Sequence, residues 1–489
     1  MMLSVQSQKS PIRLASSQIF LQYLIDYPMG KQRMDNHLHQ IVLNIKYEYE
    51  EGRLSAIDLF SSVIQKFPLP VLEEKSQFFF LPLVLQLAND DSKKCKEAVA
   101  ECISLLLQRL STESVQAFFG YAKRWSVSSG IDSLPMQRAS AQLFGIFVES
   151  RPDYVKRGSN ASDLISIVLD VMLKQITFES ESGWELLYHN LVCTEKLNKQ
   201  LPSLLPANYE IWGALVKMLA YPHPWIMQVS SRIISSHLST IEPTKLLSDG
   251  SESFAVKIPG CLYKIASNLC RQLDVEDIHY VESTSTIAIK TISWVFRAMK
   301  QHPNICYDVD ESNKGDSGEE ENALARSKDP CLWLMTRLSN IAKPKDIHRR
   351  ESVFKCFAAL CTSCNPDDLI PYLELMIDPI DRAIREGNNL HPDEQAGNDP
   401  KIAIPKDVLQ IVEDTCGTEQ FIRAFAEVNR KVRDKRDKRK QELASEAIHN
   451  PAAAAQRKIK RQMGKRERKK GKIDDRRAMR GASKKRRHS

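Results

Sequence analysis

The stretch Phe78–Leu110, FFFLPLVLQLANDDSKKCKEAVAECISLLLQRL, decides the fold class. Its first part, Phe78 to Ala88, reads as an apolar helix. Asn89, Asp90, Asp91 and Ser92 interrupt it, because short polar side chains compete for nearby backbone groups and cap whatever helix follows. In the second helix Val99, Cys102, Ile103, Leu106 and Leu110 share one face at helical spacing. The product is a two-helix hairpin with more apolar surface than it can bury alone. Such a unit becomes stable when neighbouring copies cover both of its sides.

Hairpins of this kind recur along the chain. ANYEIWGALVKMLA, the turn YPHPW and IMQVSSRIISSHLSTI form one, with Pro222 and Pro224 where a helix must stop and restart. CLWLMTRLSNIA, the turn KPKD and IHRRESVFKCFAALC form another. Helical patterns near Ile12–Ile25, Met34–Ile45, Ile57–Ile64, Phe118–Trp125, Met136–Glu149, Asp163–Ile176, Glu185–Lys199, Ile258–Leu273 and Ser283–Lys300 fill most of the remainder. Pairs return roughly every 35–50 residues, the range of helical-repeat arrays. The Trp, Leu-Gly and Tyr signature of tetratricopeptide repeats is missing. The pattern predicts an all-α, irregular HEAT/armadillo-like α-solenoid with a long basic C-terminal helix and a disordered basic tail.

The expected organisation is a solenoid over 1–301, an acidic disordered loop over 302–329 and a continued solenoid over 330–386. A linker over 387–407, a long helix over 408–450 that docks on the solenoid and turns basic, and a basic tail over 451–489 complete it. The acidic loop carries seven acids and one lysine between Asp308 and Glu321. Ser317 stands before Glu319, Glu320 and Glu321, which suits acidic-directed phosphorylation as well as a plain solvated loop.

Charge is divided unevenly. The 489 residues carry 69 Lys and Arg against 61 Asp and Glu, a net charge of +8. Residues 430–489 hold 25 of the basic and 7 of the acidic residues, so the tail is +18 and the body −10. That asymmetry points to a polyanionic partner. The tail has no Phe, Tyr or Trp, so it lacks the means to stack on bases and should bind phosphates by counterion release. Candidate phosphate-binding residues fall in blocks: Arg433, Lys435, Arg436, Lys438, Arg439 and Lys440; Arg457, Lys458, Lys460 and Arg461; Lys465, Arg466, Arg468, Lys469, Lys470 and Lys472. Lys484, Lys485, Arg486 and Arg487 resemble a monopartite nuclear localisation signal.

Catalytic patterns are missing. There is no Walker A loop, dinucleotide fingerprint, nucleophile elbow, zinc-protease histidine pair or kinase set. His37 and His39 lie two apart and do not share a helix face. Cys361-Thr-Ser-Cys364 has no second knuckle, so it reads as helix-end packing. Asp90-Asp91 and Asp367-Asp368 stand before helices, where carboxylates cap free N–H groups. The eleven scattered cysteines suggest a reducing compartment. The longest apolar run, Phe78–Ala88, is too short to cross a bilayer. No catalytic residue, cofactor, metal, membrane or small-molecule substrate is expected.

Four pieces carry a family resemblance: FLQYLIDYPMGKQRMDNHLHQIVLNIKYEYEEGR, the Phe78–Leu110 hairpin, FAEVNRKVRDKRDKRKQELASEAIHNPAAAAQRKIKRQ, and the closing basic segment. With these the chain resembles the C-terminal part of the very large HEAT-repeat, U-three-snoRNA-associated processome proteins, the down-regulated-in-metastasis family. The resemblance implies a nuclear and nucleolar, non-enzymatic scaffold acting in pre-rRNA processing. Its partners would be pre-ribosomal RNA, the snoRNP and processome proteins. In that frame the chain starts inside the array, so helix Ile12–Ile25 should show an exposed apolar edge. A karyopherin-like transport adaptor, whose basic tail is only an address, is the rival reading.

Overall fold

The computed structural model describes residues 2–470 apart from 129–132, 178–182, 207, 275–277, 307–328, 345, 391–399, 453, 454 and 468. The described residues are helical, with no strand among them. They divide into two compact units that part between Asn365 and Pro366. The acidic stretch around Ser317 and the closing residues Lys472 and Lys484–Arg487 lie outside the described residues.

The first unit is an α-solenoid of two helical layers. One layer runs through Glu50–Lys66, Lys93–Arg109, Ser133–Ser150, Trp184–Gln200, Pro224–Leu238, Ile278–Gln301 and Ile347–Ser363, each packed on the next. The other includes Ser76–Asn89, Thr112–Ser126, Asn160–Thr177, Tyr209–Met218, Cys261–Leu273 and Pro330–Ile341. Starts in the first layer, at 50, 93, 133, 184, 224, 278 and 347, give repeats of 40–54 residues until the last, 69, which contains 302–329. Most of these fall within the 35–50 residues read from sequence, and the two longer ones, 51 and 54, contain the short helices Pro152–Val155 and Phe254–Lys257.

The hairpin that decides the fold forms as Ser76–Asn89 and Lys93–Arg109. Ser92 is the N-cap, its Oγ accepting the Cys95 N–H at 3.3 Å. Asp90 has a larger role than capping. Its carboxylate accepts the Ser92 N–H at 2.8 Å and holds the Arg53 guanidinium through two hydrogen bonds of 3.0 Å. Burial pushes this carboxyl up, but the Ser92 N–H, Gln86 and Arg53 together hold it below its ordinary value. An aromatic relay joins this hairpin to its neighbours. Phe60 meets Phe79 edge-on at 5.2 Å, Phe80 stacks on Phe118 at 4.0 Å, and Phe119 meets Phe144 and Phe147 at 5.5 and 5.2 Å.

Polar latches hold the repeats in register. The last carbonyls of a helix have no partner within it, and a side chain one repeat later supplies one. Arg109 reaches the Ile64 carbonyl and the Phe67 carbonyl, the latter at 2.9 Å. Arg151 donates to the Leu107 and Leu110 carbonyls at 2.8 and 3.0 Å. Asn268 and Gln272 donate to Val216 and Leu219 at 3.0 and 2.8 Å, and Trp294 Nε1 donates at 2.8 Å to Ile241, in the turn after helix Pro224–Leu238. Helix Ser10–Asp26 leaves Ile12, Leu14, Ile19 and Ile25 exposed, Ile12 and Ile19 on one side and Leu14 and Ile25 on another, so they do not make the single apolar edge expected there.

In the second unit the stretch 387–407 departs from the expected linker. Helix Leu373–Leu390 runs through its start, and helix Pro400–Cys416 begins within it. Pro400 lies at the first helical position, where its missing N–H costs nothing. Val408, Val412 and Cys416 then bury one face at four-residue spacing. The long helix also begins later than residue 408. Gly417, at φ 81°, breaks the chain between Pro400–Cys416 and Thr418–His449, in a conformation that a Cβ would strain.

Two measurements check the latches and the buried histidines. Arg151→Ala leaves the Leu107 and Leu110 carbonyls unmet, and should destabilise the fold by about 1–3 kcal/mol, read as a lower urea midpoint. Two buried or half-buried histidines set an acid limit. Burial lowers His237 to about 4, and burial with Lys96 and Arg138 nearby lowers His189 to about 4. Both stay neutral in the fold but take up a proton near pH 6.5 when unfolded, so stability is fully present above that pH and lost as pH falls toward 4. The urea midpoint should fall across that window, and the pair of changes His189→Gln and His237→Gln should flatten the fall.

Candidate nucleic-acid interface

Helices Leu373–Leu390, Pro400–Cys416 and Thr418–His449 pack on one another. Met376, Ile377, Ile380 and Ala383 of the first are buried. Val408 and Val412 of the second, and Phe421 and Val428 of the third, are buried as well. Phe421 stacks on Phe425 at 5.8 Å. The third helix thus docks along the seam Phe421, Phe425, Val428 and Val432, whose alternating spacing of four and three keeps one face inward.

Charged groups tie the end of this seam. Arg385 donates to the Asn429 side chain at 2.6 Å, and Lys431 pairs with Glu374. The Glu374 carboxylate holds the Lys431 ammonium above its ordinary value. Arg430 pairs with Glu427 at 2.7 Å and holds that carboxyl below its usual range. Arg430 and Lys431 therefore belong to the docked part of the helix.

Beyond Val432 the same face changes chemistry. The next positions along the seam are Lys435 and Arg439, then Glu442 and Glu446. Every residue from Arg433 to Lys440 is exposed. Among the described residues Arg433, Lys435, Arg436, Lys438 and Arg439 carry no ion pair, while Lys440 meets Asp437 at 3.4 Å. The helix leaves the packed unit as a cationic rod.

After Pro451 the chain is helical again over 455–467. Arg457 pairs with Glu446, which ties this piece back to the long helix. Lys458, Lys460, Arg461, Lys465, Arg466, Lys469 and Lys470 have no ion pair among the described residues. Arg468 lies outside the described residues. The structure thus gathers the first two basic blocks on successive helical pieces. Two of their members, Lys440 and Arg457, are engaged by acids. Sequence reading did not reveal the Glu446 partner, eleven residues before Arg457, because Pro451 interrupts the helical spacing that would have flagged it.

The other sequence candidates sit in packing roles. His37 lies edge-on to Phe20 and Tyr23 at 5.7 and 5.6 Å. Cys361 is buried and Cys364 is the residue closing helix Ile347–Ser363. Asp367 and Asp368 occupy the first turn of Pro366–Leu369. Burial pushes the thiols of Cys102, Cys193, Cys261, Cys270 and Cys306 up to about 12, so they stay protonated at neutral pH. Among the described residues no group of three or more His, Cys, Asp or Glu could hold a metal ion. No described helix is long and apolar enough to cross a membrane.

Comparison with known proteins gives kinship. U3 small nucleolar RNA-associated protein 20 of Saccharomyces cerevisiae is 22% identical over 479 residues, covering 96% of this chain and 18% of the relative. The protein of the same name from Schizosaccharomyces pombe is 24% identical over 463 residues, covering 92% of this chain and 17% of the relative. The chain therefore spans less than a fifth of the length of these curated relatives. Among solved structures, Kap121p is similar over 87% of this chain and 42% of its own, at 12% identity and a TM-score of 0.45. Kap95p with RanGDP is similar over 87% and 53%, at 11% identity and a TM-score of 0.42. At these values the likeness bears on neither cargo nor partner. The sequence model described as "Small subunit processome component 20 homolog, C-terminal" matches residues 226–475, just over half of the chain. The chain belongs to that family.

Proposed function

We propose that this chain is a non-catalytic scaffold segment of the small-subunit processome, acting in pre-rRNA processing and small ribosomal subunit biogenesis. The stacked hairpins offer a continuous surface for processome proteins. The basic helix engages phosphates of pre-ribosomal RNA or the associated snoRNP, in the nucleus and nucleolus. The curated relatives are named for association with the U3 small nucleolar RNA, which supports the setting. The observation that carries the RNA reading is the seam itself: it docks as far as Val432 and then presents five exposed cations with no ion pair among the described residues.

Such a surface binds by releasing counterions, with affinity falling steeply as salt rises and with little sequence preference. Lys484, Lys485, Arg486 and Arg487 would serve nuclear import without excluding RNA contact.

The test is ultraviolet crosslinking in cells of the tagged full chain, beside a chain ending at Val432, with sequencing of attached RNA. Crosslinks concentrated in small-subunit pre-rRNA or its guide RNA, and fading in the shorter chain, are expected. Crosslinks spread evenly over abundant RNA, together with a chain resident outside the nucleolus, would overturn the reading in favour of a transport adaptor.

A further inference from the structure

We infer that the cationic stretch of helix Thr418–His449 is built to lie between two phosphate backbones, and so recognises double-stranded RNA in preference to a single strand. This rests on the RNA-binding reading above and adds the class of RNA.

Helical geometry sets the angular position of each cation. At about 100° per residue, taking Arg433 as the origin, Lys438, Lys435, Arg439 and Arg436 fall near 140°, 200°, 240° and 300°. The five ion-pair-free cations thus spread at fairly even intervals over roughly 220° of the circumference. Asp434 and Asp437 occupy the remaining sector, near 100° and 40°. A helix meant to lie on one strand needs cations on one face only, with the opposite face neutral or acidic. This helix has cations on opposite sides, with Lys435 and Lys438 on one flank and Arg433 and Arg436 on the other.

The helical piece 455–467 carries cations as well, with an exposed apolar pair among them: Ile459 and Met463, 57% and 61% exposed, lie together on one side, with Lys460 and Arg466 beside them and Lys458, Arg461 and Lys465 on the far side. The stretch 433–440 has no apolar residue and follows directly on the docked seam, where the direction of the helix is set by packing.

Duplex RNA supplies what the wrapped pattern needs. The A-form major groove is narrow, so its two backbones stand close on either side of anything lying along its mouth. Both flanks of the helix then meet phosphate at once, while Arg439, between them, faces the groove. A single strand presents one backbone and no second wall. The lack of Phe, Tyr and Trp in residues 430–489 fits the same choice, because unpaired bases are usually held by stacking on aromatic rings.

The experiment uses the full chain, with a mixed-sequence RNA duplex and an unstructured RNA strand of the same length as probes, across a salt series. Glutamine replacements keep helix propensity, and circular dichroism checks that helicity is retained. One flank is changed with Arg433→Gln and Arg436→Gln, the other with Lys435→Gln and Lys438→Gln. The duplex should bind more tightly than the strand. Each double change should lower the slope of log affinity against log salt for the duplex by roughly 1.4–1.8, about 0.7–0.9 per lost contact. The quadruple change should lower it by about twice that. Equal or tighter binding of the single strand, or a slope that responds to one flank only, overturns the inference and leaves the RNA reading standing. Failure to bind either probe overturns both.

Discussion

Every α-helix ends with carbonyls that it cannot satisfy itself, and in this chain a side chain one repeat further along satisfies them. Arg109, Arg151, Asn268 and Gln272 all do this, across separations of 41–53 residues, and Trp294 does the same for a carbonyl in the turn after helix Pro224–Leu238. The constraint is directional and geometric. Apolar stacking alone lets one hairpin slide over the next at little cost, since dispersion and burial depend weakly on register. A guanidinium held to two carbonyls does not allow that freedom. The aromatic contacts from Phe60 to Phe147 supply the cohesion of the array, and the latches supply its register. Neither is sufficient alone, which is why no hairpin here makes sense as an independent unit.

The second unit applies a related constraint to a single helix. Its first turns are held by Phe421, Val428 and the Glu374–Lys431 pair. Its later turns keep the same helical spacing and exchange apolar side chains for cations. Docking fixes where the helix starts and which way it leaves, so the charged turns are presented in a set orientation. A flexible basic tail would hold as many charges without that pre-organisation, and would give up more conformational entropy on binding. The acids are placed to match. Glu374 and Glu427 neutralise cations within the docked part, whereas Arg433 to Arg439 are left without ion pairs among the described residues.

Much of this was legible from sequence. Helical periodicity located the hairpins, because an apolar face recurring at three and four residues matches the turn of an α-helix and not the two-residue alternation of a strand. The long helix that turns basic was legible as well, and so were the basic blocks along it. Two things were not. The latches look like ordinary arginines near helix ends, because their partners are backbone carbonyls with no sequence identity. Residues 387–407 look like a linker by their Asn, Asp, Pro and Gly content. Pro400 at a helix start, and Val408, Val412 and Cys416 at regular spacing, carry a helix through the second half of it.

Helix Thr418–His449 is thus one element with two halves, the first given to packing and the second, in the function proposed here, reserved for phosphate. Amide hydrogen exchange on the full chain, with and without RNA, tests this most directly. Slow exchange over 421–430 is predicted in both conditions. Over 433–449, exchange should be fast in the free protein and slow when RNA is added. Protection of 433–449 without RNA, or RNA-dependent protection confined to other parts of the chain, would contradict this division of the helix.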